Sequence, residues 1–320
     1  EDEAIRGLRQ HLEHSTAPNE WDSFLLHAVS IEPASWMPRF RRAMQRAELL
    51  AMAGMTTVGE LFSVHQGIRT GCNPAFVLSS RDVEDLPGKE RRYFRPIASN
   101  STIHDGVVSR NEYVFYPYGR DGLLLATEKE LTKAVPTYYE GYLKRNKDKL
   151  CNRSSLRERK WWELSEPRPS WQHVPQPKIA STYFGDRGSF AFDDDGSFVV
   201  LQGYGWLWKG FSIDDESESA AEDGLEFSET LLPWAYLCLL NSAIFEDLLE
   251  SSCPRVQGGQ FNLSARFVNR VYLPDLSNDL QVTGDLVEEL AQFGRRIHAG
   301  EMPDVDQIDE VVARAYGLPK

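Results

Sequence analysis

Any chemistry this chain performs must come from residues of the right type at the right spacing, and the familiar catalytic signatures are missing. The sequence has no Gly-x-x-x-x-Gly-Lys-Ser/Thr phosphate loop, no Gly-x-Ser-x-Gly nucleophile elbow and no His-Glu-x-x-His zinc helix. His11 and His14 share a helical face, but no third ligand follows them, so a surface histidine pair is the plain reading. What stands out is charge. Between Lys144 and Lys160, eight cations (Lys144, Arg145, Lys147, Lys149, Arg153, Arg157, Arg159 and Lys160) face only Asp148 and Glu158, a local balance of plus six in a chain whose net charge is −13. Any polyanion partner of so acidic a protein needs such a local basic face.

The elements that would carry these residues belong to an ordinary globular chain of 320 residues, 41% hydrophobic and 26% charged, which excludes a disordered chain or a rod. No apolar run approaches the roughly 18 residues that span a bilayer. The opening Glu1-Asp2-Glu3 is neither a signal peptide nor an initiator methionine and reads as the edge of a longer polypeptide. Cys72, Cys151, Cys238 and Cys253 are scattered, without a C-x-x-C pair, and fit a reducing cytoplasm. Residues 1–56 predict helices over Ala4–Glu13, Glu20–Val29 and Met37–Met52, a linking or packing segment. Residues 57–230 change to short strand-like runs punctuated by glycine: Leu61–Val64, Ala75–Leu78, Glu112–Tyr116, Lys178–Ser181 and Ser197–Leu201. A helix is expected from Pro136, and an acidic loop over 212–230. Residues 231–320 predict a strongly apolar helix over Leu231–Ser242 and an amphipathic one over Asp285–His298, completing the same unit. The expected class is α/β, an α+β mixed sheet with helical N- and C-terminal segments.

Asn73-Pro74-Ala75-Phe76 resembles the Asn-Pro-Pro-Tyr/Phe loop with which amino methyltransferases hold a flipped base, although its third residue departs from that pattern. In its neighbourhood it points elsewhere. The run from Thr57 to Leu78, with Gly67-Ile68-Arg69-Thr70-Gly71-Cys72-Asn73-Pro74-Ala75-Phe76 at its centre, resembles the opening of the C-terminal target-recognition domain of Taq-like adenine-N6 DNA methyltransferases. The resemblance continues in order through Arg95-Pro96-Ile97, Tyr116-Pro117-Tyr118, the helix Pro136 to Arg153, Trp161-Trp162-Glu163-Leu164 and Pro177-Lys178-Ile179. It closes with Leu240-Asn241-Ser242, Gln257-Gly258-Gly259-Gln260 and Leu273-Pro274. It departs at Ser99–His104, where the family reads Arg-x-x-Asp-Ile, and at the acidic stretch Asp214–Glu229, which looks like an insertion.

The resemblance implies a DNA-sequence reader of a restriction-modification or phage-defence system. The catalytic domain that binds S-adenosylmethionine would lie outside this chain, which itself would hold no cofactor and no metal. Its implied partners are double-stranded DNA and that catalytic domain, with no membrane. Phosphate contacts position such a reader and base contacts specify. Lys144, Arg145, Lys147, Lys149, Arg153, Arg157 and Lys160 are the phosphate candidates. The base-reading candidates are Gln66, Arg69, Thr70 and Asn73 in the opening loop and Gln257 and Gln260 at the glycine turn. Thr70 and Asn73 also suit a plain turn-capping role. Tyr183 and Phe184 precede Gly185-Asp186-Arg187-Gly188 on an expected hairpin tip and are the stacking candidates, whereas Trp161 and Trp162 suit the core. Two other readings stay open: a protein-interaction module of the same assembly, or one that meets a DNA mimic, and a permuted complete methyltransferase using Asn73–Phe76 with the turn Gly203-Tyr204-Gly205.

Overall fold

The computed structural model describes residues 41–154, 159–210, 230–256, 258–277, 283–301 and 303–318. The first two expected helices, the His11/His14 pair, Arg157, Gln257 and all of the acidic loop but residue 230 lie outside these residues.

The class is mixed α+β, built on two four-stranded sheets. Their strands are β1 (Phe62–Gln66), β2 (Val77–Ser79), β3 (Phe94–Ala98), β4 (Glu112–Phe115), β5 (Lys178–Thr182), β6 (Phe190–Asp193), β7 (Val199–Val200) and β8 (Gly203–Trp208). The first sheet runs β1-β8-β5-β6, antiparallel throughout, with His65 opposite Gly205, Trp206 opposite Ile179 and Phe190 opposite Ser181. The second runs β7-β3-β4-β2, parallel only between β7 and β3. Leu201 and Gln202 carry the chain from one sheet into the other, Gln202 in the left-handed region at φ 52°.

Each sheet has its own core. Phe62, Phe190, Phe192 and Trp206 of the first pack against helices Leu232–Leu240, Ala243–Ser252, Gly284–His298 and Val305–Ala315. Leu232–Leu240 is buried on nearly every side, as a helix apolar all round must be. The second core gathers Phe76, Phe94, Phe115, Tyr138, Leu143, Leu150 and Trp162 beneath the helical rod that starts at Pro136. Buried Glu90 accepts the free N–H groups of Thr137 and Tyr138 at that rod's start, 3.2 and 2.9 Å away, with proline at the first helical position where no N–H is needed.

Two expectations change. Ala75 and Phe76, expected to open a strand, instead close the helical turn Asn73–Phe76, because Pro74 presets the helical φ and Thr70 ties the turn from outside. Helices Ala243–Ser252 and Val305–Ala315 were not foreseen; Ser242, read within the preceding helix, ends it and caps the next by accepting the Phe245 N–H at 3.1 Å. Asp193 forms a buried ion pair of 2.5 Å with Lys178 across β5 and β6, both side chains at most 3% exposed. Burial pushes the Asp193 carboxyl up to about 6, against the pull of Lys178.

Candidate nucleic-acid interface

The opening loop leaves β1 at Gln66 and threads between the sheets. The Ile68 N–H donates to the Val200 carbonyl at 2.8 Å, and Arg69 exchanges two backbone hydrogen bonds with Glu166 at 3.0 and 2.9 Å. Its two glycines are there for space: a Cβ on Gly67 would lie 2.5 Å from the Val200 oxygen, and one on Gly71, at φ 74°, would lie 1.9 Å from Ser165 Oγ. Thr70 is 3% exposed; its hydroxyl donates to Asn73 Oδ1 and accepts the Cys72 N–H at 3.2 Å. Thr70 is therefore withdrawn from any base, its side chain used to close the turn. Asn73 stays exposed at the start of that turn.

Beyond the loop, candidates far apart in sequence meet at the Tyr183 hydroxyl. It accepts from Gln66 Nε2 at 2.7 Å and from Arg69 Nε at 3.4 Å. Arg69, with half its side chain exposed, also reaches Glu166 at 3.4 Å. Gln66 is bonded at both ends of its amide, since Oε1 accepts from Arg168 at 3.0 Å. It is a positioner of neighbours rather than a free reader. Arg168 in turn pairs with Glu166. Tyr204 packs 5.2 Å from Tyr183, and burial beside that ring pushes its hydroxyl up to about 12, so it stays protonated.

The hairpin between β5 and β6 carries Tyr183 and, 40% exposed, Phe184. Phe184 and Gly185 pair with Asn262 and Phe261, the strand that leaves the glycine turn. That turn is closed by the Val256 N–H on the Gln260 carbonyl at 2.8 Å and braced by Arg255, which donates to the Gly259 carbonyl at 2.6 Å and lies 4.3 Å over Phe261. Opening loop, hairpin tip and glycine turn thus adjoin. On its other side the hairpin is held by Asn241, which accepts the Gly188 and Phe190 N–H groups at 3.0 and 3.4 Å and donates to the Phe190 carbonyl at 2.9 Å.

The basic segment is a different kind of surface. The Arg153 guanidinium donates to four backbone carbonyls, those of Thr70, Leu150, Trp161 and Glu163, at 2.8–3.1 Å. It is an internal clamp, which removes it from the phosphate candidates. Arg159 donates to the Leu164 carbonyl at 3.0 Å and Lys160 to that of Ala126. Lys147 pairs with Glu128 at 3.0 Å and sits 4.6 Å over Trp161. Lys144 pairs with Glu140 at 2.8 Å, both more than half exposed, an ion pair weak enough for a phosphate to displace. Arg145 and Lys149 are exposed. Trp162 is buried with its Nε1 on the Leu125 carbonyl at 3.1 Å, the core role its sequence suggested.

Gly203-Tyr204-Gly205 lies inside β8, paired on both sides, with Ser181 O and the Trp171 ring where its Cβ atoms would be. A cofactor turn needs a strand end opening onto a helix, so these residues do not fit S-adenosylmethionine. Glu166, Arg168 and Arg255 escaped sequence reasoning. For the first two the signal was the alternation Glu166-Pro167-Arg168-Pro169, whose prolines fix a loop between the tryptophans and β5.

The fold is shared with part of a restriction-modification enzyme. Among solved structures, this chain is similar to the Type IIL enzyme MmeI in a complex with DNA, with a TM-score of 0.54 and 12% sequence identity over 83% of this chain. The chain spans 34% of that enzyme's length. No known protein family and no curated protein matches it. Among the described residues no helix is long and apolar enough to cross a membrane.

Proposed function

We propose that this chain is the DNA sequence-recognition part of an adenine-N6 DNA methyltransferase of a restriction-modification or phage-defence system. It binds duplex DNA and positions the target adenine for a catalytic domain, holding S-adenosylmethionine, that lies outside this chain. Residues 57–230 form the reader, 231–320 complete it, and 1–56 link it to the catalytic half. The observation that carries this reading is the meeting of the opening loop, the hairpin tip and the glycine turn around Tyr183, in a fold shared with an enzyme seen on DNA. Arg69 offers guanine a fork of donors, Phe184 offers a ring to wedge or stack, and Asn73 of the opening loop and Gln260 of the glycine turn are further base-reading candidates. Arg145, Lys149 and Lys144 supply phosphate contacts.

The test is selection of bound duplexes from a random pool by the purified chain, at low and at physiological salt. An enriched motif that survives the higher salt is the expected result. No motif, with binding lost as salt rises, would reject an autonomous reader.

A second reading is favoured by one observation, the internal pairing of most cations in the basic segment. On it, the chain is an interaction module that docks a protein partner of the same assembly. Pull-down of the catalytic subunit by a chain that shows no motif would support it.

A further inference from the structure

We infer that Arg266, Arg270 and Lys209 form a second phosphate-contacting surface, on the first sheet, that positions the loop cluster on duplex DNA. This rests on the recognition role proposed above and supplies it with cations of the kind that most of the segment 144–160 has spent internally. Between Pro254 and Pro274 the chain carries three arginines, Arg255, Arg266 and Arg270, and no Asp or Glu, in a protein of net charge −13. The stretch is too sparse to stand out as a basic run, and folding supplies the rest of the patch.

The helical turn Ala265–Val268 packs against the turn Val58–Leu61 and against β1. The Gly59 N–H donates to the Asn269 carbonyl at 3.1 Å, and Lys209, the residue after β8, donates from Nζ to the Gly59 carbonyl. Lys209 is thereby brought beside the arginine segment. All three cations are exposed, and Arg266 lies 5.4 Å over the Phe267 ring, which props the guanidinium without using its hydrogens. Among the described residues none of the three makes an ion pair, in contrast to Lys144 and Lys147. The carboxylates of adjoining elements are occupied: Glu60 accepts from the Thr57 N–H and hydroxyl at 2.7 Å each, and Glu250, on the neighbouring helix, accepts from Arg255 at 2.7 Å. A phosphate that meets these cations displaces no ion partner, and like charges left together gain from a polyanion. Main chain joins the patch to the site, since Phe261 and Asn262 pair with Gly185 and Phe184 and the Leu263 N–H donates to the Tyr183 carbonyl at 3.1 Å. The rod that carries Lys144, Arg145 and Lys149 packs on the second sheet, so each sheet has one cationic surface and the opening loop threads between the sheets.

The experiment measures the affinity of the full chain for a mixed-sequence duplex across a salt series, alongside selection from a random pool and urea unfolding. One variant combines Arg266→Gln, Arg270→Gln and Lys209→Gln; a second combines Arg266→Lys with Arg270→Lys. The neutralised variant is expected to flatten the slope of log affinity against log salt by about 0.9 for each charge removed, with the enriched motif and the unfolding midpoint of wild type. The lysine variant keeps its charges and is expected to keep the slope. An unchanged slope in the neutralised variant overturns the assignment and leaves the patch to an acidic protein surface. An altered motif overturns it by marking a base contact, and a loss shared by the lysine variant overturns it by tracing the effect to the fold rather than to charge. Motif enrichment by the wild-type chain tests the recognition role separately: a chain that enriches none rejects that role, and with it the positioning this patch would serve.

Discussion

The basic segment 144–160 and the loop cluster around Tyr183 both carry arginine, and they use it in opposite ways. In the basic segment Arg153 points inward and ties four carbonyls from three separate stretches of chain. In the cluster, Arg69 and Arg168 keep part of their side chains exposed and are tied by other side chains, Gln66, Glu166 and Tyr183. The difference teaches that a local excess of charge is not a footprint. Burial and partners decide whether a cation holds the fold or meets a ligand, and a count along the sequence sees neither.

Replacing Arg153 should break that contrast most visibly. Arg153→Ala leaves four carbonyls of a half-buried site without their charged donor and is expected to lower unfolding free energy by about 3 kcal/mol, read by urea denaturation. A change under about 0.5 kcal/mol would return Arg153 to the surface cations. Asn241→Ala removes the side chain that docks the hairpin backbone and should cost about 2 kcal/mol, with faster hydrogen exchange at Gly188 and Phe190; protection equal to wild type would show that the sheet alone fixes the hairpin.

Arg69→Ala should leave stability within about 0.5 kcal/mol while discrimination at one base position falls by about 1–3 kcal/mol in competition binding. Uniform weakening would make it a phosphate contact. Arg145→Ala with Lys149→Ala should weaken every duplex alike and reduce the salt slope by about one for each charge; an unchanged slope takes this face out of the interface. The smallest effect concerns His65, whose ring lies 5.5 Å from Trp171 and is held below its usual pKa by burial. The unfolded chain takes up a proton that the folded one refuses, so stability is full above pH 6.5 and declines as pH falls toward the folded-state value. His65→Gln should flatten that slope; an equal slope assigns it to other groups.

Much of the frame was legible in advance. Short strand-like runs punctuated by glycine located β4 and β5 within a residue and β1 within two, and the apolar run 231–242 announced a buried helix. Glycine marks the opening loop at Gly67 and Gly71 in the sequence, and the φ of Gly71 and the close approaches of both give the reason. What stayed hidden were the pairings. Gln66 and Tyr183 are 117 residues apart and Gln66 and Arg168 are 102 apart, so nothing local relates them. Thr70 was legible in both its roles, and only its burial decides between them. The Gly-x-Gly run is ambiguous in sequence for a complementary reason: close backbone packing inside a sheet demands the same residue as a phosphate turn.

The hairpin that carries Tyr183 and Phe184 has one further consequence. At its base the buried pair Lys178 and Asp193 staples β5 to β6, and at its far side Asn241 grips only main-chain groups of Gly188 and Phe190. The position of the hairpin is therefore written into residues that never face outward, and the exposed side chain at 184 carries no part of that burden. On the proposed role in reading sequence, this separates inheritance of the frame from variation of the message: descendants of such a chain can exchange what the hairpin presents, one residue at a time, without refolding what presents it.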